Sequence, residues 1–474
     1  MAKAINVLND MAHKWSIFLI FCQCNTLLYV AVYGLNRYTK AMNESTPKPM
    51  MKVSITPEFQ TAYSCIENGD NTLVLGSAGT GKSTFLKWVR KKVGEHKKHV
   101  VLAPTGMAAL QVGGQTIHSF FGFKAQLMQD DTAWHRPRNR KIYEALEMII
   151  LDEISMVRAD VFNSIDQFLR RYGPRKGEPF GGVQIVALGD VFQLPPVVRR
   201  DERDFFLDTF GTAFFWGADA WREGAFEVVE FTEIFRQSDA PFIDLLNRVR
   251  YGERSSDLLS KLNTRLGQGD TDGAVILAAR NNTVDAINAE EMEKLETDEH
   301  IYDAKTTGKV DENVFTSPSH LSLKKGARVM FTRNDAMGRW VNGSLGKVVS
   351  CDVKTVKVKM DEGRTYNVEP VKWELTKYKL DEETEQPVAE VAGTYSQLPL
   401  APAWALTIHK AQGQTLEKCV INLSDGGIFA EGQLYVALSR ARSLESITLT
   451  DPITISDIRT SRDVKAFYQG FFKS

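Results

Sequence analysis

Thr72-Leu73-Val74-Leu75-Gly76-Ser77-Ala78-Gly79-Thr80-Gly81-Lys82-Ser83-Thr84 is the stretch on which the reading of this chain turns. An apolar run leads into a segment matching G-x-x-x-x-G-K-[ST], and Phe85, Leu86, Val89 and Val93 then fall on one helical face. Strand, glycine-rich turn and helix in that order make a phosphate-binding loop. The glycines let backbone N–H groups close around phosphate oxygens, and the helix amino terminus adds its positive dipole end. In such a loop Lys82 reaches the β and γ phosphates and the Ser83 hydroxyl holds Mg²⁺. Gly76, Ser77, Ala78, Gly79, Thr80, Gly81 and Thr84 complete the expected cradle.

Outward from the loop, short apolar runs at 99–103, 148–151 and 183–188 alternate with amphipathic segments, which indicates parallel strands joined by crossover helices. The run Met148-Ile149-Ile150-Leu151-Asp152-Glu153 ends on two carboxylates. Asp152 suits Mg²⁺, and Glu153 can orient and polarise an attacking water. An acidic pair at a strand end is otherwise a common helix start, and only the phosphate loop upstream gives it a chemical reading. Further runs at 274–278, 419–423 and 447–450 predict a second α/β lobe. Between 346 and 370 the period changes to two. There Val356, Val358 and Met360 alternate with Thr355, Lys357 and Lys359, and Asp361-Glu362-Gly363 reads as a hairpin turn. The lysines are read as a solvated strand face, with a DNA-contacting ridge as the alternative.

Composition limits the rest. With 474 residues the chain is long enough for two or three domains, and 43% hydrophobic, 25% charged and 10% aromatic residues exclude a disordered or fibrous chain. Fifty-eight basic residues against 59 acidic ones leave a net charge of −1, so any nucleic-acid site must be a local one. Cys22, Cys24, Cys65, Cys351 and Cys419 are scattered, fitting neither a disulfide framework nor a zinc site, and a reducing, cytoplasmic location is expected. Residues 15–35 carry no charge. This stretch within an apolar leader, 1–50, reads as an extension from an upstream start, with Met50 or Met51 as the working start, or as a membrane anchor, or as a helix packed on the core.

Five further stretches extend the pattern: Ala103-Pro104-Thr105-Gly106-Met107-Ala108-Ala109, Gly189-Asp190-Val191-Phe192-Gln193-Leu194-Pro195-Pro196, Glu233-Ile234-Phe235-Arg236-Gln237, Thr407-Ile408-His409-Lys410-Ala411-Gln412-Gly413-Gln414-Thr415 and Tyr435-Val436-Ala437-Leu438-Ser439-Arg440-Ala441. They resemble helicase motifs Ia, III, IV, V and VI, in order, and together they resemble the petite integration frequency (PIF) family of superfamily 1 DNA helicases, in its RecD-like branch. The run Gly113-Gly114-Gln115-Thr116-Ile117-His118-Ser119-Phe120-Phe121 and the pairs Asn334-Asp335 and Asn342-Gly343 favour that family over its phage and RecD-like neighbours. The family's own segment after motif II is not recognisable here, and the basic insert after Phe123 follows no familiar pattern.

The resemblance implies an α/β fold class of two RecA-like P-loop NTPase lobes with a small inserted β (SH3-like) domain. Lobe one is expected over 51–240 with a small insert near 117–141, and lobe two over 241–474 with a β insert near 344–396. The resemblance further implies ATP and Mg²⁺ as cofactors, with Gln60 reading the adenine edge and Gln193 sensing the γ-phosphate or positioning water. Arg236 and Arg440 would neutralise charge that develops during phosphoryl transfer. Thr105, His118, Phe120, Thr407, His409 and Lys410 would contact DNA by motif position, Phe120 having a core role as its alternative. The implied activity is ATP-driven 5′-to-3′ movement on single-stranded DNA and unwinding at forks, by a monomer, in repair, recombination or genome and telomere maintenance. A P-loop ATPase that remodels protein is the competing reading.

Overall fold

The computed structural model describes residues 55–472, except 95, 125, 129–133, 135, 136, 138, 139, 238, 309, 313, 314, 382–386 and 425. The 15–35 segment and most of the basic insert fall outside the described residues. Among those described, no helix is long and apolar enough to cross a membrane.

The first helix, α1 (Pro57–Asn68), opens on Thr56, whose hydroxyl accepts the Phe59 N–H at 3.2 Å. Pro57 sits in the first turn, where its missing N–H costs nothing, and Gly69 closes the helix at φ 92°. There follow β1 (Thr72–Gly76), α2 (Lys82–Val93), β2 (His99–Ala103), α3 (Gly106–Val112), β3 (Gln115–Thr116), α4 (Ile117–Phe121), β4 (Met148–Leu151), α5 (Ala159–Tyr172), β5 (Gln184–Gly189) and β6 (Glu227–Phe231). The six strands pair in parallel in the order β3-β2-β4-β5-β1-β6. Alternate side chains serve opposite faces. Leu73, Leu75, Ile149, Leu151 and Ile185 pack with Phe162 and Phe168 of α5, while Val74, Met148, Ile150, Val186 and Leu188 pack with Phe85, Leu86 and Val89 of α2. Both faces are covered, so the strands read as unbroken apolar runs. The carboxyl ends of β1, β2, β4 and β5 therefore present Gly76 to Lys82, Thr105, Asp152 and Glu153, and Asp190 to Gln193 along one edge.

The second lobe opens with α6 (Ala240–Arg250), α7 (Ser256–Asn263), β7 (Val275–Ala278) and α8 (Asn281–Glu293). The chain then leaves the lobe through β8 (Glu299–Asp303), β9 (Lys305–Gly308), β10 (His320–Lys324), β11 (Arg328–Phe331), β12 (Leu345–Cys351), β13 (Val356–Met360), β14 (Thr365–Val368), β15 (Val371–Leu380), β16 (Pro387–Gln397) and β17 (Leu400–Pro402). It returns through β18 (Ala405–Thr407), β19 (Cys419–Asn422), α9 (Gln433–Leu438), β20 (Ile447–Leu449) and α10 (Arg462–Gln469), and a parallel sheet forms in the order β18-β7-β19-β20.

In the excursion, β14-β13-β12-β11-β17 form one antiparallel sheet and β15-β16-β9 another, while β8 and β10 make a separate pair. Along β13 Val356, Val358 and Met360 are buried and Lys357 and Lys359 exposed, the alternation its sequence carries. These strands begin at Glu299, well before 344. The early ones are polar or short, β9 being exposed throughout, so they give no periodic signal.

Two elements of the second half complete the first lobe. β15 lies against it: Thr376 donates to the Gly114 carbonyl at 3.0 Å, the Tyr378 hydroxyl accepts the Val101 N–H at 3.1 Å, and Tyr378 and Leu380 join the first lobe's core. From the carboxyl end, α10 inserts Val464 and Tyr468 into the same core, and Phe467 stacks on Trp216 at 4.2 Å.

Candidate functional site

The phosphate loop keeps its shape by backbone means. Gly79 and Gly81 sit at φ 89° and 84°, and a side chain at Gly79 would meet the Arg236 Cβ at 2.7 Å. The Thr80 hydroxyl donates to the Ser77 carbonyl at 3.0 Å. Lys82 Nζ is folded into the loop, donating to the carbonyls of Gly76 at 2.8 Å and Ser77 at 2.9 Å. Burial pulls its pKa below the ordinary lysine value, and Asp190, Glu153 and Asp152 oppose that pull. Ser83 and Thr84 lie exposed in the first turn of α2. Gln60 is exposed on α1, next to Phe59, whose ring tip would lie 3.1 Å from a Cβ at Gly81.

Beside the loop, burial raises both carboxyl groups at the end of β4. Asp152 is moderated by the Glu153 N–H and by Lys82, whereas Glu153 is pushed further by Asp152, to about 7. Glu153 also holds a left-handed backbone, φ 51° and ψ 47°, a conformation that costs a non-glycine residue roughly 1–3 kcal/mol. Its neighbour comes from the other lobe. Gln412 Nε2 stands 3.3 Å from Glu153 Oε2 and 3.0 Å from Gln193 Oε1, and Gln193 donates onward to Asp190 at 3.3 Å.

Asp190 organises a buried polar cluster. It accepts from the Arg250 guanidinium at 3.2 and 3.3 Å and from the Tyr435 hydroxyl at 3.1 Å, and that hydroxyl accepts the Ala78 N–H at 2.9 Å. A chain of hydrogen bonds thus runs from the phosphate loop through α9 to α6. Burial opposes the charge of Arg250, but Asp190 and the surrounding tyrosines hold its pKa above the ordinary arginine value. Burial and then Asp190 raise Tyr435, keeping its proton in place. Asp190, Gln412 and Tyr435 lie in motif-like stretches without having been singled out. Arg250 carried one signal: it continues the Leu246 position by one helical turn and so falls on the buried face of α6.

The two candidate finger arginines differ in setting. Arg236 lies against Gly79 and reaches across to the carbonyls of Gly413 at 3.3 Å and Ser439 at 3.5 Å. Arg440 is fully buried and donates to the carbonyls of Val436, Ala411 and Gln414 and to the Ser439 hydroxyl. Burial first, and Arg236 second, push its pKa down to about 9, with Glu153 and Tyr435 opposing.

A groove runs past this centre. One cavity of about 340 Å³ is lined by Thr105, Gln111, Glu153, His409, Lys410 and Gln412, and another of about 310 Å³ by Thr105, His118, Arg158, Val197 and Arg199. Thr105, His118, His409 and Lys410 therefore share one surface. Thr407 and Phe120 do not. Thr407 is buried, its hydroxyl accepting the Lys410 N–H at 3.2 Å, and Phe120 is only 6% exposed, packed edge-on against Phe121, Tyr143 and Tyr378. Phe120 follows the core alternative of paired aromatics.

Residues 55–259 match the PIF1-like helicase family model. A Bdellovibrio bacteriovorus protein named ATP-dependent DNA helicase Pif1 is 31% identical over 412 residues, covering 85% of this chain and 89% of that protein. The chain belongs to the PIF1-like helicase family. The Xenopus laevis ATP-dependent DNA helicase PIF1 is 32% identical over 88% of the chain, which spans 64% of that longer relative's length. The crystal structure of Bacteroides sp Pif1 in complex with ADP-AlF4 is 37% identical and superposes with a TM-score of 0.80, covering 88% of this chain and 97% of that one. The PIF1-like fold of two RecA-like lobes with β insertions is thus the fold of this chain.

Proposed function

We propose that this PIF1-like protein is an ATP-dependent DNA helicase, coupling ATP hydrolysis to 5′-to-3′ movement on single-stranded DNA and to unwinding at fork junctions. The observation that carries the reading is the span His409-Lys410-Ala411-Gln412. His409 and Lys410 line the groove, while Gln412 touches both Glu153 and Gln193. One short segment of the second lobe therefore meets the hydrolytic carboxylate and the strand surface together, so a shift driven at one is delivered to the other.

In this reading Gln60 contacts the adenine and the residues from Gly76 to Thr84 hold the phosphates. Glu153 accepts the proton of the attacking water, Gln193 and Gln412 orient that water, and Arg236 and Arg440 meet charge building on the γ-phosphoryl group. Ser83 and Asp152 fit Mg²⁺. They supply one hydroxyl and one carboxylate oxygen, hard donors that suit an ion keeping water and phosphate oxygens as its other ligands. When bound, Mg²⁺ neutralises charge on the β and γ oxygens. The lobes are assigned to 51–240 and 241–474, with a β insert in the second and a monomer as the working unit. A cytoplasmic, DNA-associated place in repair, recombination or telomere maintenance accompanies the assignment.

The test is ATP hydrolysis with and without single-stranded DNA, together with strand displacement on substrates carrying either a 5′ or a 3′ tail. DNA-stimulated hydrolysis and displacement confined to the 5′ tail are expected. Lys82→Ala should reduce hydrolysis by orders of magnitude while the protein stays folded. Hydrolysis indifferent to DNA would return the chain to the protein-remodelling class.

A further inference from the structure

Gln237 closes the stretch Glu233-Ile234-Phe235-Arg236-Gln237, yet it has no part in the chemistry proposed for the site. It lies between β6 and α6 and is 4% exposed. The backbone just before it is clipped to the phosphate loop. There the Phe235 N–H donates to the Gly79 carbonyl at 2.9 Å, and the Arg236 Cβ stands where a side chain at Gly79 would have to go. Gln237 Oε1 packs on the same glycine, 3.2 Å from the place of a Cβ there. Residues 235–237 are therefore seated on Gly79 and follow the position of the loop.

The amide nitrogen crosses to the second lobe. Gln237 Nε2 donates to the carbonyl of Ser439 at 3.3 Å and to that of Ala441 at 3.1 Å, the residues on either side of Arg440. Helix α9 ends at Leu438, so both carbonyls lie past its last turn and take donors from outside. A primary amide puts two N–H donors on one nitrogen and an acceptor opposite them, with no net charge. The two carbonyls also fix which way the amide faces, because turned over it would set Oε1 against both. Oε1 is thereby held toward the loop, buried and without a hydrogen-bond partner among the described residues. An unpaired buried acceptor destabilises a fold, so packing alone would favour an apolar side chain of the same length at 237. Arg440, for its part, bonds Val436, Ala411, Gln414 and Ser439 of its own lobe, and none of these ties sets its place against the loop. Arg236 also reaches the Ser439 carbonyl, at 3.5 Å, but in its proposed role its guanidinium turns to phosphate charge, a pull that neutral Gln237 does not feel.

We infer that Gln237 is a positioning residue, its amide splinting the phosphate loop at Gly79 to the two carbonyls that flank Arg440 and so setting that arginine in register with the loop. The inference rests on the finger role proposed for Arg440. A guanidinium fixed within its own lobe but out of register with the loop meets developing charge poorly. The splint therefore acts on turnover and leaves the holding of the ground-state nucleotide to the loop itself.

The experiment uses the full chain and Gln237→Met, which keeps the length of the side chain and removes its donors. Melting temperature and the titrated affinities for ATP and ADP should stay close to the parent's, while turnover with saturating single-stranded DNA falls on the order of 100-fold. Affinity for ADP with aluminium fluoride, a mimic of the transferring phosphoryl group, should fall by about tenfold or more, and affinity for ADP alone should not. Arg440→Ala measured alongside should lose on the order of 10³ in turnover. The double variant should be no slower than Arg440→Ala, because a splint with nothing to place has no effect, whereas independent roles would multiply to about 10⁵. Parental turnover in Gln237→Met, or multiplied losses in the double variant, overturns the inference and leaves the finger role standing. Nucleotide affinity and melting temperature that fall in parallel with turnover in Gln237→Met overturn it too. An Arg440→Ala chain that turns over like the parent overturns both.

Discussion

Glu153 combines a carboxyl pKa raised to about 7, first by burial and then by Asp152, with a backbone bent into the left-handed region. The proposed role as proton acceptor needs the ionised carboxylate, so Glu153→Gln should abolish most of the DNA-stimulated turnover while the protein stays folded. The same shift has a sign in stability. A raised carboxyl pKa means that the fold favours the neutral form, a stabilisation fully present below the ordinary value of 4.5 and lost as pH rises through about 7. Calorimetry should therefore find Glu153→Gln melting above the parent near pH 8 and level with it near pH 4.5. For Arg440, a finger role predicts that Arg440→Ala lowers turnover on the order of 10³, roughly 4 kcal/mol of barrier, while ATP affinity changes far less. Its bonds to four acceptors of its own lobe add a second expectation, a lower melting temperature, and Arg440→Lys should rescue neither effect because an ammonium cannot serve four acceptors in that planar arrangement. Equal losses in titrated ATP affinity and in turnover would make Arg440 a structural residue and leave the finger to Arg236 beside Gly79.

Strand β15 and α10 belong by sequence to the second half and by packing to the first lobe. Tyr378 makes the dependence measurable. Tyr378→Phe removes the acceptor for the Val101 N–H, and Tyr378→Ala also opens a cavity beside Phe120. Denaturant unfolding should show losses of about 1 kcal/mol for the first and about 3–5 kcal/mol for the second. If Tyr378→Ala unfolds like the parent, β15 contributes nothing to the first lobe. These contacts also mark where sequence reading stops. The runs at 72–75, 99–103 and 148–151 were legible because strands covered on both faces are apolar throughout, and β13 because its lysines alternate with buried valines. Tyr378 against Val101, or Tyr435 against Ala78, is a pairing between distant positions that no local period encodes. Phe120 shows the other limit, since paired aromatics look alike in sequence whether they stack on a base or fill a core.

Across the whole molecule, several side chains of the second lobe meet the first, Tyr435 and Arg250 among them, and Gln412 is the one that touches both Glu153 and Gln193. Gln412→Ala should leave single-strand affinity near the parent's while DNA stimulation of hydrolysis falls by tenfold or more, about 1.4 kcal/mol or more of coupling. Parallel titrations of binding and turnover decide it, and stimulation at the parental level would show that the lobes communicate elsewhere, the Tyr435–Asp190–Arg250 chain being the next candidate. The first lobe's borrowed residues bear also on how the protein is made. Its sheet is complete in the sequence by Phe231, yet its core still lacks Tyr378, Leu380, Val464 and Tyr468. At ordinary rates of translation those side chains leave the ribosome on the order of 10 to 50 s later. Through that interval the nascent lobe exposes an unfilled apolar seam to solvent, so a helper that shields emerging chains has its natural point of action there, and a polypeptide released early, short of residue 464, would carry the seam open for its lifetime.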